Sequence, residues 1–347
     1  MRSVGIIGVA SHPVLPGGAA RSLEEIIYDT VQECLRDAGV GPSDYDGIIV
    51  ASNDQYDGRA ISVMAASGSV GGVDRDILST PSSAEHALVM GVLRVASGQF
   101  ETQLVLAWGP MEAHSLSAVE RLAADPYYHR GLPLDDRASH ALQAGVLLSR
   151  HPLAATAAER ILQKNRHNGA KAFPAELGSQ GTDVVTAWPL REGMQGTRSA
   201  GIVALMLASS EFIEARAQKK VAWLQGMGWA TETSYLGDRD LATAPALEPA
   251  AAAAFRQAGI TQPEAELDLA EVADPTPYHE WLVCRVLGLR EDGSVPVNLS
   301  GGSLTRNPVF CGGLVAVAEV ANQLRGCAGA HQATDPRRGL AHAASGA

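Results

Sequence analysis

Aromatic side chains make up only 5% of this chain, and cationic residues are fewer than anionic ones, 27 Lys and Arg against 38 Asp and Glu. With so few aromatics, the 46% hydrophobic fraction implies a core of small aliphatic side chains. A net charge of −11 argues against nucleic acid or an anionic membrane surface as the main partner, since both repel a polyanion. The four cysteines, Cys34, Cys284, Cys311 and Cys327, show no paired spacing. That pattern excludes a disulfide framework and a zinc knuckle, and it implies a reducing cytoplasm. No metal is expected, because Asp135-Asp136 lacks the further ligands that a cation needs. No apolar run approaches the ~20 residues that span a bilayer. The run Val4 to Val9 reads as a strand, being too short for the apolar core of a signal peptide. What the chain does have is length and small residues. Its 347 residues include 36 Gly, enough for a large core or two fused halves with close approach of helices and strands.

Periodicity places the elements. Ser22 to Gly39 predicts a helix, with Ser22 and Glu25 as a capping box and Gly39 as the stop. Strands are predicted at Gly47 to Ala51, Asp76 to Leu78, Gln103 to Trp108 and Ile202 to Ala208. Ser82 to Gly98 is a helix whose Ser82 and Glu85 again form a capping box. The run Gly68-Ser69-Val70-Gly71-Gly72 reads as a turn without the Lys and Ser/Thr of a phosphate loop. Leu116 to Ser199 is a long excursion with helices near Ala138 to Ser149 and Ala155 to His167, of the kind that covers a site. Its basic residues Lys164, Arg166, His167 and Lys171 are either a solvated helix face or a cradle for phosphate. Ser209 to Lys220 reads as a linker. Val221 to Gly228, a helix from Glu248 to Gly259, a strand from Leu267 to Val272 and a helix from Tyr278 to Gly288 then follow. The ends Asp37-Ala38-Gly39-Val40 and Gln257-Ala258-Gly259-Ile260 match, each leading through a polar turn to an apolar strand. A duplicated strand-helix-strand half would leave such a repetition.

The most informative stretch is Val295 to Gly326. An apolar strand enters Asn298-Leu299-Ser300-Gly301-Gly302, a loop carries Asn307-Pro308, and Leu314 to Arg325 is an amphipathic helix ending Gln323-Leu324-Arg325-Gly326. Paired glycines here let backbone pass close to a ligand or to another strand. The stretch resembles the thiolase superfamily, in particular its sterol-carrier-type branch, which has Asn-Pro-Ser-Gly-Gly, then Gly-His-Pro, then a helix ending Gln-Leu-Arg-Gly. Gly109-Pro110-Met111-Glu112 resembles the family's Gly-Gly-x-Glu turn, and Trp188-Pro189-Leu190 its Pro-Leu turn. The resemblance implies an α/β thiolase fold of two similar halves with mixed sheets and buried helices between them, in αβαβα layers. The halves would be 1–210, including a loop domain at 116–199, and 211–347, whose closing strand is expected to be missing.

The family's catalytic groups are largely replaced. Pro81 stands at the nucleophilic cysteine, with Ser82 one residue later as either helix cap or nucleophile. Ala273-Asp274 stands at a His-Asp motif, so the acid remains without its imidazole, and Asn307 stands at the second histidine. An asparagine can still donate to a thioester oxygen. The candidate catalytic residues are therefore Ser82, Asn307, Asp274 and His279. Ser300, Gly301, Gly302, Lys164 and Arg166 are the candidates for holding coenzyme A. Cys311 reads as a small buried hydrophobe, and His86 as packed inside its helix. His114 and His342 lie near expected site loops without a motif.

The implied function is the handling of acyl-CoA thioesters. One form is C–C bond-forming or bond-cleaving acyl transfer, as in an acetyl-CoA acetyltransferase of lipid metabolism. The other is retro-aldol cleavage with atypical residues. The other class is a catalytically inactive subunit that scaffolds or regulates an active thiolase or OB-fold partner. No permanently bound cofactor is expected. A homodimer or a heteromer, the latter with a zinc-ribbon OB-fold protein, is implied.

Overall fold

The computed structural model describes residues 2–14, 21–58, 60–109, 116–123, 127–132, 134–177, 181–233, 235–290 and 293–345. His114 and the Pro110-Met111-Glu112 part of the expected turn lie outside these residues. In chain order, β1 is Val4–Val14, α1 Leu23–Ala38, β2 Gly47–Ala51, α2 Asp54–Asp57 and α3 Ser62–Ser69. Next come β3 at Asp76–Thr80, α4 at Ala84–Ala96, β4 at Thr102–Trp108, α5 at Leu116–Ala123, α6 at Asp136–Arg150 and α7 at Ala154–Ala172. β5 is Val185–Ala187, β6 Leu190–Arg191, β7 Ala200–Ser209, α8 Ser210–Ala215, β8 Ala222–Leu224 and α9 Leu247–Ala258. α10 is Pro263–Glu266, β9 Leu269–Glu271, α11 Pro277–Val286, α12 Gly312–Leu324 and β10 Gly339–Ala341. No described helix is long and apolar enough to cross a membrane.

The chain divides into two compact units, each discontinuous in sequence. The first comprises Met1–Ala113, Arg198–Gln225 and Asn307–Asp335. Its six-stranded sheet has the order β3-β2-β4-β7-β1-β8. β2 runs parallel to β3 and β4, and β7 antiparallel to β4 and β1, so the sheet is mixed. β2 and β4 are buried along their whole length, as their unbroken apolar runs require. One face, with Ile48, Val50, Leu104 and Leu106, packs on Ile27, Val31 and Leu35 of α1. On the opposite face, Gly91 of α4 lets the helix close on the sheet, where a Cβ would come within 2.8 Å of Val105 and 2.9 Å of Leu207. α4 and α12 pack against each other there. The Gln323-Leu324-Arg325 end of α12 is tied down by Arg325, whose guanidinium donates to the Ile7 carbonyl at 2.9 Å and pairs with Asp37 at 2.8 Å.

α1 carries the expected box, with Glu25 N–H to Ser22 Oγ at 3.2 Å and Ser22 N–H to Glu25 Oε2 at 2.8 Å. Three expectations differ. The first two residues of the Gly68 run, Gly68 and Ser69, close helix α3, and the expected turn follows at Val70-Gly71-Gly72. The Ser209–Lys220 linker contains α8, because Ser209 Oγ caps it by accepting from Phe212 N–H at 3.1 Å. β8 joins the first sheet beside β1.

The second unit comprises His114–Thr197, Gly226–Arg306 and Pro336–Ala347. α6, α7 and α11 share a core that includes Ala144, Leu147, Ala158, Leu162, Trp281 and Leu282. A second cluster joins Leu267, Ala270, Val272, Val283, Val295 and Val297. β9 pairs in parallel with β10. The strand expected at Val295 shrinks to a single bridge between Val297 and Ala270. Pro296 has no amide to donate, and Asn298 turns left-handed at φ 54, so the ladder stops there.

Candidate functional site

In the first unit, β3 delivers Pro81-Ser82-Ser83 to the start of α4. The Ser82–Glu85 capping box is not formed. The N-cap is Ser83, which makes no side-chain cap bond, and Ser82 lies one residue too early to reach the Glu85 amide. Its hydroxyl is instead hydrogen-bonded to Nδ1 of His86 across the first turn. The Ser82 amide donates to Thr80 Oγ1 at 3.2 Å, and the Pro81 carbonyl accepts from Asn53 Nδ2 at 3.0 Å. Ser82 and His86 are both half-buried. A cavity of about 430 Å³ has Ser52, Asn53, Gln55, Val63, Ser79 and Pro81, the residue before Ser82, in its lining.

The loop from Asn307 to Cys311 reaches the same helix start. The Phe310 carbonyl accepts from Ala84 N–H at 3.3 Å, and Phe310 holds φ 72, a conformation costly for a side chain of its size. Asn307 is anchored through its carbonyl, which accepts from Ser199 N–H at 3.0 Å. Cys311 is fully buried with Sγ 3.8 Å from the Gly201 carbonyl, and burial pushes its thiol far up, so it is an inert core residue.

In the second unit the Asn298 stretch enters a buried polar network. Glu280 Oε2 accepts from Asn165 Nδ2 at 2.7 Å and Asn298 Nδ2 at 2.8 Å, while Oε1 lies 2.9 Å from Lys164 Nζ. Asn298 Oδ1 accepts from Val272 N–H at 2.8 Å. Asp274 accepts from Asn165 Nδ2 at 2.9 Å and from Ser303 N–H at 2.8 Å. Burial, with Glu280 nearby, raises its pKa well above the usual carboxylate range.

The structure places the candidate coenzyme A residues in or beside this network. Lys164 directs its donors inward to Glu280, to the Val297 carbonyl at 2.7 Å and to Asn165, so it is the counter-ion of a buried acid. Arg166 donates to the Gly193 carbonyl at 3.2 Å. Ser300 Oγ donates to Glu271 at 2.6 Å. Gly301, at φ 88, faces helix α7, where a Cβ would lie 2.5 Å from Gly169 Cα. Gly302, at φ 59, faces Asp274, whose carboxylate would meet a Cβ at 2.2 Å. The glycines serve close packing within the protein. Asp274 has its oxygens engaged by amides, which makes it an organiser of the Gly302 turn.

His279 stands at the start of α11, where its amide donates to Thr276 Oγ1 at 3.1 Å. Its Nδ1 is 2.9 Å from Gln143 Oε1, and its Nε2 is buried without a partner. The His140 ring stands edge-on to it at 6.3 Å between centroids. His342 belongs to the same group. Its amide donates to the Glu271 carbonyl at 2.8 Å, and its carbonyl accepts from Ala273 N–H at 3.1 Å. An imidazole-bearing residue thus lies next to Ala273. Burial lowers all three, His279 to about 3, His140 and His342 to about 4, so they are neutral imidazoles, each with one N–H to donate and one nitrogen to accept a hydrogen bond. Sequence reading missed His140 and Gln143, which belong to no motif; a shared inward face of α6 was the only available signal. Asp135 is the cap of α6, accepting from Ala138 N–H at 3.0 Å, rather than a metal ligand.

Comparison with known proteins follows the same lines. The Ltp2-ChsH2(DUF35) aldolase aligns with a TM-score of 0.80 at 17% identity, covering 97% of this chain and 94% of that one. A monomeric SCP2-thiolase-like protein type 1 from Mycobacterium smegmatis aligns at 0.72 and 17%, covering 93% and 72%. Human mitochondrial 3-ketoacyl-CoA thiolase aligns at 0.69 and 15%, covering 94% and 93%, and its structure in complex with CoA aligns at 0.69 and 15%, covering 94% and 92%. This chain has the thiolase fold. Residues 228–347 match the thiolase C-terminal domain-like family. An acetyl-CoA acetyltransferase from Methanothermobacter thermautotrophicus is 30% identical over 202 residues, 52% of each chain. The chain therefore spans about half the length of the curated relative it matches. The resemblance to the thiolase superfamily holds, and at 15–17% identity the solved structures speak for the fold alone.

Proposed function

We propose that this thiolase-fold chain handles acyl-CoA thioesters, in C–C bond-forming or bond-cleaving acyl transfer or in retro-aldol cleavage. One observation carries this reading. Within a thiolase fold, the turn after β3 brings the Ser82 hydroxyl onto the His86 imidazole of α4, and Pro81 of that turn lines a cavity. Asn307, on the loop tied to that helix start, is proposed to donate its amide to a thioester oxygen. His279 is proposed as the acid/base candidate of the second unit. Coenzyme A enters as part of the substrate, as the 3-ketoacyl-CoA thiolase complex with CoA suggests by analogy.

Pro81, Ala273 and Asn307 favour a second reading, a subunit that supports an active partner. In the first sheet β3 is an edge strand, pairing only with β2 among the described residues. An exposed edge recruits another chain. We propose a homodimer through this edge, or a heteromer with a zinc-ribbon OB-fold protein; the joined name of the Ltp2-ChsH2(DUF35) aldolase supports the latter. A cytoplasmic location is part of the proposal, in keeping with four free cysteines.

Calorimetric titration of the purified chain with coenzyme A and acetoacetyl-CoA, paired with a cleavage assay, is the test. Binding is expected, with cleavage by the chain alone ~10²–10⁴-fold below that of an intact thiolase, since acid/base groups are replaced. No binding at millimolar ligand, by the chain or its reconstituted complex, would remove acyl-CoA from the proposal.

A further inference from the structure

We propose that Ser82 accepts the acyl group as an oxygen ester, with His86 as its general base; this rests on the acyl-CoA reading above. The Ser82 hydroxyl is not spent on capping α4, since Ser83 holds the N-cap position. Its partner is instead an imidazole nitrogen one turn along the helix, hydrogen-bonded to it. A hydroxyl held on the lone pair of a base is the arrangement that activates serine as a nucleophile. The backbone that carries His86 is held in place, since α4 closes on the sheet at Gly91. Access is present as well, because both side chains are half-exposed and Pro81, the preceding residue, lines the cavity. The thiols of Cys34 and Cys311, by contrast, are buried and pushed far up by desolvation.

The step balances without any further reagent. With the ring proton on Nε2, His86 Nδ1 takes the Ser82 Oγ proton as Oγ attacks the thioester carbonyl carbon. The tetrahedral oxyanion collapses, the C–S bond breaks, and the coenzyme A sulfur leaves with the proton from Nδ1. The products are O-acyl Ser82, free coenzyme A thiol and neutral His86. An ester is less activated than a thioester, so transfer runs toward the serine and the intermediate accumulates. Water or an alcohol, deprotonated by His86 in turn, then takes the acyl group and restores Ser82. The substrate class is therefore an acyl-CoA that gives up its acyl group to Ser82.

The experiment is peptide-mapped mass spectrometry of the full chain after incubation with acetyl-CoA, beside calorimetry with coenzyme A. The variants are Ser82→Ala, Ser82→Cys and His86→Gln, the last able to hold the hydroxyl but not to take its proton. An acetyl group is expected on the peptide containing Ser82, stable to neutral hydroxylamine as an ester is. Ser82→Ala should lose it, Ser82→Cys should carry a hydroxylamine-labile thioester, and His86→Gln should slow its formation ~10²-fold or more while leaving coenzyme A binding intact. Coenzyme A binding without acetyl on Ser82, or acetylation indifferent to His86→Gln, overturns the serine assignment and leaves the acyl-CoA reading standing. Absence of binding removes both.

Discussion

Lys164 holds its ammonium 2.9 Å from Glu280, a carboxylate whose side chain is 1% exposed. The pair is asymmetric, for the lysine side chain is 36% exposed and keeps part of its hydration. Removing the lysine leaves a buried anion with only the Asn165 and Asn298 amides. Lys164→Met is expected to cost about 2–4 kcal/mol, at the lower side of a broken buried pair because of that hydration. The midpoint of urea unfolding measures it. A loss within error, together with weaker coenzyme A binding, would restore Lys164 to phosphate recognition.

Gly301→Ala puts a methyl group 2.5 Å from Gly169 Cα at a backbone φ of 88. Left-handed strain and the clash together should cost about 2–5 kcal/mol. Gly312→Ala, at the first turn of α12 with nothing within 4 Å of the new Cβ, should be neutral or slightly stabilising. Thermal unfolding of both variants gives the comparison. An undiminished melting temperature in Gly301→Ala with lost ligand binding would show that the glycine serves a ligand.

Acid should weaken the second unit through its histidines. His279, His140 and His342 have folded-state values near 3, 4 and 4, below 6.5 in the unfolded chain. The unfolded chain therefore takes up protons first as pH falls. The histidine contribution is full above about 6.5, falls from there, and levels off only below about 3, where His279 is also protonated. Asp136, pushed up to about 6 by burial and Asp135, acts oppositely, since its native form holds a proton between its ordinary 3.8 and about 6. Raised Asp274 opposes in the same direction. Three lowered histidines against two raised carboxyls leave a net loss of stability from pH 6.5 to 4. Chemical denaturation across that range, repeated for His342→Phe, checks the sign: the variant should show a shallower slope, and an unchanged slope would remove His342 as a contributor.

Cys311 should resist alkylation in the native state, since its thiol is buried and held protonated. Iodoacetamide labelling followed by peptide mapping is the measure. Labelling of Cys311 before unfolding would show that the loop beside α4 opens.

Much of the first unit was legible because its signals are local. Ser22, Glu25 and Gly39 bracket α1 in sequence as they do in space, and the unbroken apolar runs of β2 and β4 admit only a strand covered on both faces. Ser82 illustrates the limit. The Ser82–Glu85 spacing satisfies the capping-box pattern, yet helix α4 starts one residue later, and a boundary shift of that size turns a cap into a partner for His86. Gly301 and Gly302 were read as places where backbone passes close to a ligand or another strand; the groups that approach them are the backbone of α7 and the carboxylate of Asp274. The contacts Lys164–Glu280 and His279–Gln143 join residues far apart in the chain and leave no periodic trace.

Hydrogen–deuterium exchange of the chain with and without a non-hydrolysable acyl-CoA thioether locates the proposed site most directly. Protection is predicted in the segments that hold Ser52 to Tyr56 and Ser79 to His86, which border the cavity and carry Ser82 and His86. Unchanged exchange there, with saturating ligand and protection only elsewhere, would contradict an acyl-CoA site at the start of α4.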